Sequence, residues 1–386
     1  MSLNGQEITI LGAGIAGLAA ARALALRGAS VTVLEQAEAL REVGAGLQIS
    51  PNGAAVMRAL GLGQELETAG LRAQAVDLRD GLADEPVLRM DLSDRDYRFL
   101  HRADLIAILA EGARSAGAQI RLLQQIETVD LSGATPFVTT RQGARIAADL
   151  LIGADGLHSK VRAALNGPGK LAFTNQVAWR TLIACEPDAP PVAEVFMGEG
   201  RHLVSYPLRG GVLRNIVAIE ERRRWTEESW SMRDDPMELR LAFEDFAPRV
   251  RDWLEQADQV WLWGLFRHPV AKTWHQGRAA ILGDAAHPTL PFLAQGANMA
   301  LEDAWVLADR LDRAATAEEG LASYQQAREA RCRRIVDAAN RNARAYHLSG
   351  PLRDAAHLAL KIGGKIAPRF ALSRFDWVYQ YDVTAA

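Results

Sequence analysis

The segment Gly12-Ala13-Gly14-Ile15-Ala16-Gly17 constrains this chain more than any other. It follows the apolar run Glu7-Ile8-Thr9-Ile10-Leu11, which reads as a buried parallel strand. It opens an Ala/Leu-rich helix from Ile15 to Arg27, closed by Gly28 as a C-cap. Ser30 to Glu35 then reads as a second, β-branched strand, completing one βαβ unit. Gly12 permits the tight turn, Gly14 lets backbone approach a pyrophosphate, and Gly17 lets helix and strand pack closely. The free N–H groups of the helix start favour phosphate. Glu35 would accept hydrogen bonds from ribose hydroxyls and repel a 2′-phosphate, with Ala16 and Gln36 beside the same nucleotide. A dinucleotide with an unphosphorylated adenosine ribose, FAD or NAD, is expected.

Two later segments select between these. Gly153-Ala154-Asp155-Gly156, followed by Ser159 and Arg162, ends a strand and starts a short helix. Gly283-Asp284-Ala285-Ala286-His287-Pro288 ends the buried strand Ala279 to Leu282. Pro291 and Gln295-Gly296-Ala297-Asn298 come next, then a helix from about Met299. A carboxylate at a strand end, Asp284, suits the ribityl hydroxyls of a flavin. The helix start beyond it would aim its positive end at the pyrimidine edge, where a reduced flavin is negative. A nicotinamide needs neither device, so FAD is expected.

The rest of the chain sets the frame. Its 386 residues suffice for about two to three domains. A net charge of -3 offers no reason to expect nucleic acid or an anionic membrane surface. No apolar run approaches the roughly 18 residues of a spanning helix. The strand beginning at Glu7 leaves no room for a signal peptide, so a cytoplasmic protein is expected. Cys185 and Cys332 make no metal-ligand spacing and read as small buried hydrophobes, so no metal is expected. None of the nine tryptophans precedes Trp179, and most lie between it and Trp274, marking a second domain. Alternating stretches around Gly81 read as a hairpin of that second sheet, and Met237 to Gln256 as one amphipathic helix. Arg328, Arg331, Arg333 and Arg334 read as a solvated helix face.

These motifs, with Arg41 to Gly46, His101 to Leu105, Gly200-Arg201-His202 with Tyr206-Pro207, and Leu301-Glu302-Asp303-Ala304, resemble those of the FAD-dependent aromatic-ring monooxygenases. The likeness is nearest the salicylate and 6-hydroxynicotinate hydroxylase types. It implies an α/β fold: a doubly wound, Rossmann-like FAD domain of glutathione-reductase type, an inserted β-sheet substrate domain and a helical C-terminus. The expected boundaries are 1–73, 98–174 and 268–340 for the first, 74–97 and 175–267 for the second, and 341–386 for the third. Arg41, Gly46, Arg102, Ile126 and Asp155 would join the FAD contacts. NADH or NADPH would reduce FAD, dioxygen would add at flavin C4a, and one oxygen of the C4a-hydroperoxyflavin would pass to an electron-rich phenolic or hydroxy-heteroaromatic ring. Either a monomer or a homodimer is compatible.

His202 is the first candidate for the base that removes a phenolic proton, against a satisfied structural histidine. Tyr206 would position substrate, Pro291 would back the flavin, and Gln48, where some relatives have His, would hydrogen-bond without acting as a base. His287 reads as structural. Arg180 and Arg201 could receive a substrate carboxylate or be sheet-surface charges, the latter favoured. Trp261 and Trp263 point one way along a strand, as core rather than pocket. Ala294 stands where many relatives have Gly, which requires a negative φ there. The alternative activity is an FAD-dependent reductase or oxidase of an isoprenoid or quinone. A halogenase would need an early lysine, and the first here is Lys160.

Overall fold

The computed structural model describes residues 3–40, 45–169, 171–222 and 232–385. The strands Glu7–Leu11 and Ser30–Leu34 pair in parallel around the helix Ile15–Ala25. Leu150–Gly153, Ala279–Ile281 and Gln119–Arg121 extend the sheet in parallel, and His275–Gln276 adds an antiparallel edge. The three glycine-bearing strand ends, after Leu11, Gly153 and Ile281, therefore open along one edge of neighbouring strands. Gly12 takes φ 96°, and a Cβ there would lie 2.5 Å from the Ala154 carbonyl oxygen, so only glycine fits.

The second sheet has eight strands, all antiparallel except where Val192–Gly198 pairs with Ala75–Asp80. Period-two alternation gives it two faces. Val177, Trp179, Phe196, Leu203, Ile216 and Leu262 pack beneath two short helices, Pro236–Ala242 and Pro248–Glu255. One helix was expected over Met237 to Gln256. Pro248 lacks the N–H that an uninterrupted helix needs, and the chain restarts there with proline in its first turn. The other face, with His202, Val204 and Tyr206, turns toward the first domain.

The helix Gly296–Arg313 packs against Ile15–Ala25 and against the helix Ala317–Tyr346. The latter runs unbroken through residue 340, where a segment boundary was expected. The expectation of a solvated arginine face fails here. Arg328 is fully buried, its Nη1 2.6 Å from Glu302 and its Nε 2.7 Å from Asp303. Arg331 bonds Glu302 at 2.7 Å and the carbonyls of Trp377 and Val378, while Arg334 lies over Trp377. Arg333 pairs with Glu329 at 2.7 Å nearer the surface. Charge alone could not reveal this, because the acids answering Arg328 and Arg331 lie on another helix. Cys332 is buried as expected, whereas Cys185 is only half-buried beside Glu186. His287, Asp303 and Cys332 bring ligand-type atoms within 4.8 Å of one another. The Arg328 guanidinium contacts both Asp303 and Cys332. Among the described residues no helix is long and apolar enough to cross a membrane.

Asp303 also accepts the Gly283 N–H at 3.0 Å and faces His287 at 2.5 Å. Burial pushes its carboxyl up, but His287 and Arg328 more than reverse this and pull it down to about 2. Burial pushes the His287 imidazole down, and Asp303 overrides it to hold the ring well above its ordinary range. Asp303→Asn leaves buried cations uncompensated and is expected to cost about 3–5 kcal/mol, read as a lower Tm. In the parent protein the Asp303 contribution is whole above the ordinary carboxylate range and fades as pH falls toward about 2. The His287 contribution is whole below the ordinary imidazole range and fades as pH rises through its raised value. The variant should lose that acid-side dependence in pH-dependent unfolding.

Candidate active site

A cavity of about 390 Å³ runs from the glycine-rich turn to the inner face of the eight-stranded sheet. At one end lie Gly14, Ile15, Ala16, Ala154, Arg102 and the exposed side chain of Asp284. Gly14 starts its helix without a side-chain cap, and a Cβ there would meet nothing within 4 Å. Its backbone thus offers unpaired N–H groups to an open space, as a pyrophosphate needs. Glu35 accepts from Ala13 N at 2.7 Å and Ala37 N at 2.8 Å, so its carboxylate shapes the turn. Gly17 packs against the Gly12 carbonyl. The helix Gly296–Arg313 likewise has no side-chain cap, and Gly296 and Ala297 line the middle of the cavity. These donors and the acid at Asp284 fit an extended FAD.

Several expected contacts fall elsewhere. Gln36 is exposed and Ile126 packs against the main core, neither lining the cavity. Asp155 accepts from Lys160 N at 2.7 Å, capping the turn whose Gly156 and Leu157 do line it. The Asn298 side chain is taken up by Ser50 N, the Gln48 carbonyl and the Ala294 carbonyl, pinning the strand Gly46–Ile49 to the helix start. Arg41 lies outside the described residues.

Gly46 joins the two domains. Its N–H donates to Asn215 Oδ1 at 2.7 Å, and a Cβ there would lie 2.6 Å from the Tyr206 ring. Gln48 accepts from Tyr97 Oη at 2.7 Å. Burial pushes the Tyr206 phenol up against the pull of Arg180 and Gln48, so it stays a neutral donor at ordinary pH. Pro291 lines the cavity beside Phe292, whose ring centroid is 5.5 Å from that of His202. His202 is 1% exposed, and its Nδ1 lies 2.7 Å from His347 Nε2. Burial, then His347, holds it well below the ordinary imidazole value, hence neutral.

Three readings change. Trp263 lines the cavity, and Arg180 lies over its ring at 3.9 Å, also lining the cavity rather than the sheet surface. Arg201 does sit outside, paired with Asp245 at 2.7 Å. Ala294 adopts φ 51° and ψ 35°, the left-handed region, against the expected negative φ. The hydrogen bonds of its N–H to Pro291 O and its carbonyl from Asn298 hold it there. Tyr97, Tyr346, Tyr379 and Phe375 complete the walls and were not anticipated. Their signal was weak, because three of them come from the C-terminal helices, far away in sequence.

Residues 6–339 match the family described as "FAD binding domain". A 3-amino-4-hydroxybenzoate 2-monooxygenase of Streptomyces platensis is 32% identical, over 99% of this chain and 98% of that protein. A 3-hydroxybenzoate 6-hydroxylase of Klebsiella oxytoca is 34% identical, over 96% and 95%. The structure of Klebsiella pneumoniae HpxO complexed with FAD and uric acid has a TM-score of 0.83 at 25% identity, covering 94% of both chains. A salicylate hydroxylase substrate complex has a TM-score of 0.84 at 22% identity, covering 99% of this chain and 97% of that one, and shares the fold.

Asp284→Ala removes a charged acceptor worth about 1.5–3 kcal/mol, roughly 10- to 150-fold in FAD affinity, measurable by flavin fluorescence titration of apoprotein. Ala294→Gly relieves a left-handed alanine and should raise stability by about 1 kcal/mol in thermal unfolding.

Proposed function

Because this chain belongs to the FAD-binding-domain family of flavoprotein aromatic monooxygenases, we propose that it hydroxylates a small phenolic carboxylate at the expense of NADH or NADPH and dioxygen. Bound FAD supplies the reducing power and the activated oxygen for such a reaction. The observation that carries the choice of substrate is the charge pattern of the cavity. Asp284 is the lone acid among its described lining residues and lies at the dinucleotide end, while Arg180 lies on the sheet face.

Strand register sets the spacing. Arg180 pairs with Val217 and Val217 with Val204, which stands between His202 and Tyr206. Two strand spacings separate Arg180 from that row, about 10 Å, enough to hold a benzoate ring. Arg180 would take the carboxylate, with Trp263 stacked to hold the guanidinium in place. His202 would accept the phenolic proton, Tyr206 would donate to the ring oxygen, and Gln48 would orient the neighbouring hydroxyls. The aromatic and aliphatic walls exclude water that would divert the activated oxygen. Asp284, Gly14, Gly17, Arg102 and the Gly296 helix start would hold FAD, with Glu35 toward the adenosine ribose and Pro291 behind the ring system.

A panel of 3-hydroxybenzoate, 3-amino-4-hydroxybenzoate, salicylate and unsubstituted phenol should show NAD(P)H oxidation stimulated by the carboxylates and weakly by phenol. Arg180→Met should raise KM for the active carboxylate about 10- to 150-fold while sparing kcat. His202→Ala should keep FAD and lose about 10²-fold or more of coupled hydroxylation. Quinone turnover with no hydroxylated product would favour the reductase or oxidase reading instead.

A further inference from the structure

His202 does not end at the cavity wall. Its Nδ1 lies 2.7 Å from Nε2 of His347, the residue that closes the helix Ala317–Tyr346. The other nitrogen of His347, Nδ1, lies 2.7 Å from Glu221 Oε1. Burial falls off along the chain of contacts, toward solvent. His202 is 1% exposed, the His347 side chain 3%, and the Glu221 side chain 53%. One turn of backbone holds the three in place. Glu221 N donates to Gly200 O at 2.8 Å, and Gly200 N donates to His347 O at 3.4 Å.

The carboxylate decides the protonation of the whole line. Glu221 only accepts, so His347 must carry its proton on Nδ1. His347 Nε2 then has a lone pair and accepts from His202 Nδ1–H. His202 Nε2 is left as a lone pair, and no hydrogen bond among the described residues claims it. That tautomer is the one a phenolic O–H needs to meet.

We infer that His202, His347 and Glu221 form a proton relay joining the substrate cavity to solvent, in which His347 and Glu221 are positioning residues that orient His202 and carry its proton out. This rests on the reading of His202 as the base. The substrate O–H bond breaks as its proton passes to His202 Nε2. The Nδ1 proton of His202 passes to His347 Nε2, and the Nδ1 proton of His347 passes to Glu221, which releases it to water. No electrons leave the substrate oxygen, which becomes a phenolate. The return of a proton to the product along the same line resets both rings. Neither imidazole has to become a buried cation if the protons move together. That matters because burial, only partly offset for His347 by Glu221, disfavours the charged form of both. Among the described residues, Tyr346 lies beside His202, Tyr206 on its strand and Arg180 across the cavity, and the Glu220–Arg222 ion pair, at 2.6 Å, flanks Glu221 in sequence. Burial pushes the Tyr346 phenol up to about 12, so it stays neutral.

Two measurements test the relay on the FAD-loaded full chain. Nitrogen-15 NMR of histidine-labelled protein, assigned with His202→Asn and His347→Asn, should find the proton on Nδ1 of both rings. A proton on Nε2 of either resting ring overturns the relay without any substrate. Turnover of 3-hydroxybenzoate across pH is the second measurement, using Glu221→Gln, Glu221→Asp and His347→Phe. Glutamine still accepts from His347 but takes no proton. Its coupled turnover should therefore fall at neutral pH, recover as rising pH ionises the phenol unaided, and be rescued in part by aspartate. His202→Ala should fall furthest, by about 10²-fold. If His202→Ala is impaired while Glu221→Gln and His347→Phe keep the parent pH profile, the base reading stands and the relay fails. If His202→Ala is itself unimpaired, the base reading fails. If 3-hydroxybenzoate is not turned over, the tautomers decide.

Discussion

The arrangement depends on a buried acid–base cluster centred on Asp303. One carboxylate receives the Gly283 N–H, His287 and Arg328 at the same time. Its neighbour Glu302 receives Asn52, Arg328 and Arg331. Burying these charges is costly unless each is answered, and here each is answered by a different element. The turn that presents Asp284, the helix that starts at Gly296, the long helix Ala317–Tyr346 and the helix Pro51–Ala59 are thereby locked together. The cofactor end of the cavity is only as well placed as this cluster.

A second constraint sets the opposite wall. Alternation along the eight-stranded sheet sends Trp179, Phe196 and Leu203 under two short helices and His202, Val204 and Tyr206 over the cavity. Gly46 lets the first domain come close enough for its amide to meet Asn215. The result is a narrow space with polar groups at defined heights and aromatic walls between them. Such a space restrains a ring more than a long flexible chain, in keeping with the aromatic substrates of the similar hydroxylases.

The dinucleotide turn was legible because its signal is local. Gly12 to Gly17 and the Gly283-Asp284 turn each carry strand, glycine and helix within a few residues. The family likeness extended that reading to the fold. What stayed hidden was carried by partners far apart in the chain. Arg328 reads as one of several surface arginines until Glu302 and Asp303 are brought against it. Ala294 reads in sequence as needing a negative φ, but its N–H bond to the Pro291 carbonyl and the Asn298 side-chain amide on its own carbonyl hold the left-handed turn. Arg180 and Trp263 could not be placed on a face without knowing which side of the sheet the first domain covers. His347 gave no sign at all, since only the fold brings the end of a helix to a strand 145 residues away.

The central claim is that FAD lies along this cavity with a phenolic carboxylate held between Arg180 and His202. A crystal structure of the FAD-loaded protein with 3-hydroxybenzoate tests it most directly. The account predicts the flavin ring beside Pro291 and the Gly296 helix start, the carboxylate on Arg180, and the phenolic oxygen within hydrogen-bond reach of His202 Nε2. A ligand bound with its carboxylate turned away from Arg180 and its hydroxyl remote from His202 would contradict it.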